Sequence, residues 1–239
     1  MRTNLFLGMA VVLPVVAFAN AAQASDFIFD STNVGGNTNV GIHKHIRTTF
    51  NDETDLFTWK STFKQKDNGL LANGGWLVIS NGPNPKQHDK EFTAFYMDGV
   101  NNRLTAYSYD GQNGSGSWKN NKFLGSWDNV LQVDTDQAKG ERTLSFALDM
   151  TDINGRDDLG AFWKGTQFDE SLGIWFHGAA NLNAKYKADG SLKKFNYSGQ
   201  GWYDTSYSTA TRVPEPAAMA GLTAAGLLAV KTIRRRKQA

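Results

Sequence analysis

The chain has no cysteine among its 239 residues, and proline occurs only five times. The absence of cysteine excludes thiol catalysis, cysteine-ligated zinc and disulfide bonds. Glycine, by contrast, occurs 24 times, and aromatic residues make up 12% of the chain. With 40% hydrophobic and 20% charged residues, the composition is that of a globular protein and excludes a disordered or collagen-like chain.

The chain also lacks a strong excess of either charge. Its formal net charge of +2 comes from the ends, because six of the 25 cations but only one of the 23 anions lie in residues 1–24 and 213–239. The remaining body, residues 25–212, carries 19 cations against 22 anions. This balance gives no reason to expect a nucleic-acid partner.

Motifs of common enzyme classes are missing from the body. It contains no Gly-x-Ser-x-Gly elbow, no phosphate-binding loop and no dinucleotide fingerprint. Glycoside hydrolysis needs two carboxylates at a defined separation, and no E-x-D-x-x-E run places them on one strand face. We therefore expect no enzyme, with a polysaccharide-active enzyme as an alternative because two carboxylates can still converge in space.

The N-terminus has the pattern of a secretory signal peptide. Arg2 supplies the positive charge, Leu5–Ala19 forms the apolar segment, and small residues at Ala22 and Ala24 predict cleavage before Ser25. The body is then exported as residues 25 onward. Without disulfides, its hydrophobic core alone must stabilise it.

The last 27 residues, 213–239, have three parts: a Val-Pro-Glu-Pro motif, an uncharged Ala/Gly/Leu-rich stretch and a basic cluster. Fourteen uncharged residues rise about 21 Å as a helix, which is short for a hydrocarbon core of about 30 Å. Extension to residues 217–233 gives a marginal transmembrane helix, with the basic end held on the cytoplasmic side. The motif comprises Val213, Pro214, Glu215 and Pro216, and the anchoring cations are Arg234, Arg235, Arg236 and Lys237.

This tail resembles the PEP-CTERM sorting signal of Gram-negative and cyanobacterial envelopes. The resemblance rests on the order of the three parts at the C-terminus, behind a signal peptide. It implies that an exosortase-type membrane protease cuts near the motif after a transient stay in the inner membrane. The product would then reach the cell surface or the extracellular polysaccharide. The alternative is an ordinary C-terminal anchor that follows a proline-containing linker.

The body shows the period-two alternation of β-strands. Arg142–Met150 alternates apolar and polar residues, and two hairpins are predicted within 91–109 and 182–197. About ten short strands separated by Gly, Asn and Asp turns indicate an all-β protein, an antiparallel β-sandwich over residues 25–204. Residues 205–212, rich in Ser and Thr, are predicted as a stalk before the tail.

The segment Arg103–Gly111 (RLTAYSYDG) is similar to the core hairpin of concanavalin-like and laminin-G-like jelly rolls. The segment Leu172–Asp204, with its WFH strand and its Asp-Gly hairpin, looks like the body of many PEP-CTERM proteins. These resemblances imply a jelly-roll β-sandwich. They match no site motif, so they assign no functional residue.

Histidines offer one candidate metal site. His43 and His45, two residues apart on a predicted strand, are expected to point to the same face. Two ligands do not complete a site, so solvent-facing residues on an edge strand are the favoured interpretation. His177 ends an apolar strand and is expected to be partly buried.

An acidic loop within 149–158 is a candidate calcium site. Asp149, Asp152 and Asn154 are the proposed ligands, because Ca²⁺ takes six to eight oxygen atoms. The loop supplies three or four of these and lacks the EF-hand spacing. The favoured alternative is a solvated turn in which Asp and Asn bond to the nearby backbone.

The tryptophans divide into two groups. Those within apolar runs are predicted to lie in the core, and those beside glycine or polar residues are predicted to be exposed. Exposed aromatic faces flanked by amides suit sugar rings. The predicted core residues are Trp59, Trp76, Trp163 and Trp175, and the candidate glycan contacts are Trp118, Trp127 and Trp202.

Together these features favour an exported surface or extracellular-matrix protein that associates with exopolysaccharide and binds glycan. A structural or adhesive surface protein without a ligand site is the second interpretation. The expected partners are an exosortase-type protease and extracellular polysaccharide, and calcium is the one cofactor considered.

Overall fold

A computed structural model describes residues 25–32, 39–67, 69–81, 91–109, 111, 116–166, 171–209 and 211–214 of the chain. These residues form an all-β protein with antiparallel sheets, which confirms the predicted class. The predicted signal peptide, the transmembrane segment 217–233, Glu215, Pro216 and the cation cluster 234–237 lie outside the described residues. No helix in the described ranges is long and apolar enough to cross a membrane.

Fifteen strands make up the described chain. They build one sheet in the order β15-β1-β2-β3-β9-β8, a second in the order β14-β11-β4-β5-β6-β7 with β10 parallel to β5, and a separate β12–β13 hairpin. Short helical turns occupy Ser117–Lys119, Thr151–Asn154 and Asp157–Leu159. The strands are β1 (Ser25–Ser31), β2 (Ile42–Asn51), β3 (Leu56–Lys64), β4 (Gly74–Asn81), β5 (Glu91–Asp98), β6 (Arg103–Tyr109), β7 (Phe123–Asp128), β8 (Gln132–Asp136), β9 (Glu141–Asp149), β10 (Trp163–Gly165), β11 (Ser171–Ala180), β12 (Asn183–Tyr186), β13 (Leu192–Asn196), β14 (Gly199–Thr209) and β15 (Thr211–Pro214).

The main core draws its side chains from both large sheets. Alternate residues of β3 point inward, and Phe57 stacks on Phe95 of the second sheet with 5.5 Å between ring centroids. Phe146 of β9 packs against both of these rings. Trp59 and Trp163 are buried at this core, as predicted. Large aromatic side chains therefore supply much of the hydrophobic stabilisation that a chain without disulfides needs.

A second core lies on the other face of the second sheet. It contains Trp76 and Trp175, which are buried as predicted, and it includes Leu182, Leu192 and Phe195 from the β12–β13 hairpin and its flank. Because both faces of this sheet are covered, its central strands are continuously buried rather than alternating. Residues 104–109 of β6 show this pattern, since all of them are buried.

A β-bulge in β2 overturns the prediction for the two histidines. The pairing of β2 with β3 shifts register between His43 and His45, so the two side chains lie on opposite faces of the sheet. His43 is buried and stacks on Phe63 at 4.7 Å between ring centroids. His45 is half-buried, and its Nε2 lies 2.7 Å from Asp30 Oδ1. Strand β2 lies between β1 and β3 and is not an edge strand.

The described chain after residue 204 also differs from the prediction. The described residues of the segment expected as a stalk lie in strands, because β14 continues to Thr209 and β15 starts at Thr211. Strand β15 forms the edge of the first sheet and contains Val213 and Pro214 of the predicted sorting motif. Its register with β1 pairs Pro214 with Ser25. The two predicted cleavage regions are therefore neighbours in one sheet.

Candidate functional site

The outer face of the second sheet is rich in aromatic rings, but it is not an open surface. Trp76 stacks on His177 at 4.5 Å between ring centroids and meets the edge of Trp175 at 4.8 Å. Trp76 is fully buried, and Trp175 is 4% exposed. The β12–β13 hairpin packs on this face. These rings form a packing surface beneath the hairpin.

Hydrogen bonds fix that hairpin to the sheet through both of its strands. The Leu192 N–H donates to Tyr107 Oη at 2.6 Å, and the Tyr186 hydroxyl donates to Asp98 Oδ2 at 2.9 Å. Burial, together with the nearby Asp98 carboxylate, raises the pKa of Tyr186. The Arg103 guanidinium lies 4.2 Å from the centroid of the Tyr186 ring, a cation–π contact.

Trp118 is one of the three candidate glycan contacts, and the prediction that it is exposed is wrong. It lies in the Ser117–Lys119 turn and is 9% exposed. Its backbone N–H donates to Tyr96 Oη at 3.2 Å, and the same Oη lies 2.8 Å from Ser117 Oγ. Both bonds join the turn to Tyr96 on strand β5. The sequence around Trp118 does not show this contact, because Tyr96 is distant in the chain.

The other two candidate glycan contacts lie on strands of the second sheet. Trp127 is half-buried on β7, where it packs against the main core and its ring lies over Gly125. The backbone of Trp202 lies in β14 and pairs with His177. The side chain of Trp202 lies outside the described part of the chain. The three tryptophans therefore do not form one exposed surface that the structure describes.

The proposed calcium ligands bond to the protein itself. Asp149 Oδ1 accepts from the Thr151 N–H at 2.9 Å and from its hydroxyl at 2.7 Å. Asn154 Oδ1 accepts from the Thr166 N–H and hydroxyl at 2.9 and 3.1 Å. Asp152 is exposed. Within the described ranges, no three His, Asp or Glu side chains cluster as a metal would require. Asp149 bonds to the nearby backbone, as in the turn that was the favoured alternative, whereas Asn154 bonds to Thr166 and Asp55, which are distant in the chain.

A polar cleft opens where the 65–73 segment, the β8–β9 turn and the start of the hairpin meet. Its volume is about 330 Å³, which lies at the small end of the range for ligand pockets. Four of its ten lining residues carry side-chain amides. Among the described residues that line it, none carries a carboxylate. The residues that line the cleft are Gln65, Gly69, Leu70, Leu71, Asn73, Thr135, Gln137, Gly140, Arg142 and Asn181. We call this the amide cleft.

Arg142 joins the walls of the amide cleft. Its Nη1 donates to the carbonyl oxygens of Leu71 and Ala72 at 3.3 and 3.2 Å, and its Nε donates to Thr135 Oγ1 at 3.0 Å. Partial burial lowers the pKa of Arg142, but a guanidinium stays charged in proteins. Arg142 therefore holds the 65–73 segment against β8 and presents a fixed positive charge to the cleft.

Hydrogen bonds position three of the four cleft amides, at one end of each group. Gln65 Nε2 donates to the Gly69 carbonyl at 2.6 Å, and Asn181 Nδ2 donates to Ser198 Oγ at 2.8 Å. Asn73 Oδ1 accepts a backbone N–H at 3.3 Å. Among the described residues, the other end of each of these amides has no hydrogen-bond partner. Each can therefore bond to a ligand.

This lining suits a neutral molecule rich in hydroxyl groups. An amide offers a donor and an acceptor to adjacent hydroxyls, and Leu70 and Leu71 add an apolar wall for C–H groups. Sequence reasoning did not single out Gln65, Asn73, Gln137 or Asn181. Amides are common in loops, and these four come together only through contacts between distant segments.

Comparisons with protein-family models, with curated proteins and with solved structures find no match to this chain. The fold itself defines the class: an all-β protein of two antiparallel sheets and a covering hairpin, with a polar cleft at their junction.

Proposed function

We propose that this chain is an exported surface or extracellular-matrix protein of a Gram-negative-type or cyanobacterial envelope. In this proposal an exosortase-type protease processes its PEP-CTERM tail, and the mature protein associates with exopolysaccharide by binding neutral sugars in the amide cleft. The two sheets are proposed to form a jelly-roll β-sandwich of the concanavalin or laminin-G type.

The amide cleft carries the binding part of the proposal. Four amides and one fixed guanidinium surround a space of about 330 Å³, beside two leucines. This set complements hydroxyl and C–H groups together, which is the chemistry of a sugar ring. It offers no described carboxylate for acid–base catalysis, so the proposed role is binding.

The neighbouring positions of Ser25 and Pro214 support the processing part. An edge strand tolerates proline because one side of its backbone is unpaired. A chain whose two ends leave the domain side by side can be cut at both ends without passing a segment through the fold.

The binding proposal is tested by affinity electrophoresis of the purified protein in gels that contain dextran, galactomannan or xyloglucan. The test variant combines Gln137→Ala with Asn181→Ala, which removes two amides of the cleft. The control variant combines Gln132→Ala with Asn183→Ala, two exposed amide residues outside the cleft. At least one neutral polymer should retard the wild type and the control.

The cleft variant should bind that polymer at least fivefold more weakly, with an unchanged circular dichroism spectrum. If none of the neutral polymers retards the wild type, or if the cleft variant binds as well as the control, the amide cleft is not a sugar site.

A structural or adhesive protein without a ligand site is the second candidate. The observation that favours it is the covered outer face of the second sheet, where Trp76 and Trp175 serve packing rather than contact with a ligand. Failure of the electrophoresis experiment, with normal export and processing, would favour this function.

A further inference from the structure

A second cleft lies between the Ser117–Lys119 turn and strand β13. Its volume is also about 330 Å³, and it shares no lining residue with the amide cleft. Three of its seven lining residues are lysines, and none of the seven is acidic. The lining comprises Gly116, Trp118, Lys119, Lys193, Lys194, Phe195 and Asn196. We call it the lysine cleft.

The ammonium groups of this cleft have no ion-pair partner among the described residues. Other lysines of the protein do: Lys139 Nζ lies 3.0 Å from Asp136 Oδ2, and Lys122 pairs with Asp158. In contrast, no described carboxylate lies within ion-pair distance of Lys193 or Lys194. Lys119 lies 5.8 Å from the ring centroid of Trp118. The lysine cleft therefore keeps its positive charge uncompensated within the described structure.

The hairpin concentrates this charge at an energetic cost. Its register places Lys185 directly opposite Lys194, and like charges in opposed positions destabilise a strand pair. The nearest acid in the hairpin, Asp189, already accepts hydrogen bonds from the N–H and hydroxyl of Ser191 at 2.9 and 2.7 Å. A bound anion would relieve the repulsion.

The two aromatic residues of the lysine cleft contact the same buried tyrosine, Tyr96. The backbone N–H of Trp118 donates to Tyr96 Oη, and Phe195 meets the edge of the Tyr96 ring at 5.2 Å between centroids. Both walls thus rest on one fully buried residue. Aromatic edges beside ammonium groups match a repeating ligand that has both apolar C–H groups and acidic groups.

We propose that the lysine cleft binds an acidic polysaccharide. The carboxylate or sulfate groups of the polymer pair with Lys119, Lys193 and Lys194, and a sugar ring touches only the small edges of Trp118 and Phe195 that stay exposed, 9% and 6% of each residue. A nucleic acid is the competing polyanion, and its binding is measured beside that of the acidic polysaccharides. The site is separate from the amide cleft and does not depend on it.

The test measures binding of the purified protein to polygalacturonate, dextran sulfate, unmodified dextran and double-stranded DNA. The test variant is Lys193→Gln with Lys194→Gln. The control variant is Lys44→Gln with Lys60→Gln, two exposed lysines of the first sheet whose loss changes the net charge equally. A urea denaturation curve for each variant shows whether it folds as the wild type does.

The wild type and the control should bind polygalacturonate or dextran sulfate. Binding of polygalacturonate indicates recognition of carboxylates, and binding of dextran sulfate indicates recognition of sulfates. The test variant should bind at least tenfold more weakly, and salt should weaken wild-type binding because it screens ion pairs. Dextran binding should be the same in wild type and test variant, so the lysine cleft is judged apart from the amide cleft.

The inference is overturned if neither acidic polymer binds, if the test variant binds like the wild type, or if the control loses as much affinity. Equal or stronger binding of DNA would also overturn it, since the cleft would then recognise charge without sugar chemistry.

Discussion

Acid should destabilise this protein through one buried histidine. His43 is 5% exposed, stacks on Phe63 and meets the edge of Phe176 at 5.9 Å. Burial lowers the pKa of His43 from 6.5 to about 3. The unfolded chain therefore takes up a proton near pH 6.5, whereas the folded protein does so only near pH 3. Stability is full above the unfolded pKa and falls as the pH drops through this window.

The magnitude follows from one proton. The free energy of unfolding should fall by about 1.4 kcal/mol per pH unit once the unfolded imidazole is mostly charged. Between pH 7.5 and pH 5 the loss is about 2 kcal/mol for a shift of this size. Carboxylates with an ordinary pKa of about 3.9 stay mostly ionised over that range, so they add little.

Urea denaturation followed by tryptophan fluorescence at pH 7.5, 6 and 5 measures this loss. His43→Phe keeps an aromatic ring on Phe63 but cannot take up a proton, so its stability should change by less than about 0.5 kcal/mol over the same range. Lys44→Gln, an exposed neighbour, is the control and should retain the full loss. The reasoning fails if the wild type shows no loss, or if His43→Phe loses as much as the wild type.

Three further predictions concern the hairpin, the sheet and the tail. Tyr186→Phe removes the hydrogen bond to the buried Asp98 carboxylate and should cost about 1.5 kcal/mol in urea denaturation; an unchanged free energy of unfolding would count against that contact. Gly75→Ala places a methyl group against the backbone carbonyl of His177, so the melting temperature should drop by about 6 °C for roughly 2 kcal/mol of overpacking; an unaltered melt would contradict the close approach of the strands. Alanine at residues 214–216 should leave export intact and keep the protein in the membrane fraction with its tail uncut, as detected by mass spectrometry; an intact arginine-rich tail on secreted wild-type protein would refute the sorting role.

Local sequence patterns predicted the strands well where each strand has one buried face. The alternation in Arg142–Met150 matches β9, in which Leu144, Phe146 and Leu148 are buried. Turn residues also marked both predicted hairpins: Asn102 and Gly190 adopt positive φ angles of 54° and 84°. These signals are reliable because the pleat and the turn geometry depend only on neighbouring residues.

The histidine pair shows where local reasoning failed. Two residues of one strand share a face only if no residue is inserted between them, and the bulge at Lys44 inserts one. No property of the segment His43–His45 signals the bulge. It forms because His43 fits beside Phe63 and Phe176 in the core while His45 reaches Asp30.

The sequence by itself determined that the described body is all-β and where the two hairpins turn. It also determined that four tryptophans are buried, namely Trp59, Trp76, Trp163 and Trp175. Only the tertiary structure decided that the β12–β13 hairpin covers the outer face of the second sheet and that Trp118 is buried. It also decided which polar side chains share a cleft, since Gln65, Gln137 and Asn181 come from three distant segments. The physical reason is range: alternation and turns are set by adjacent residues, whereas coverage of a sheet face and the walls of a cleft arise from packing between segments far apart in the chain.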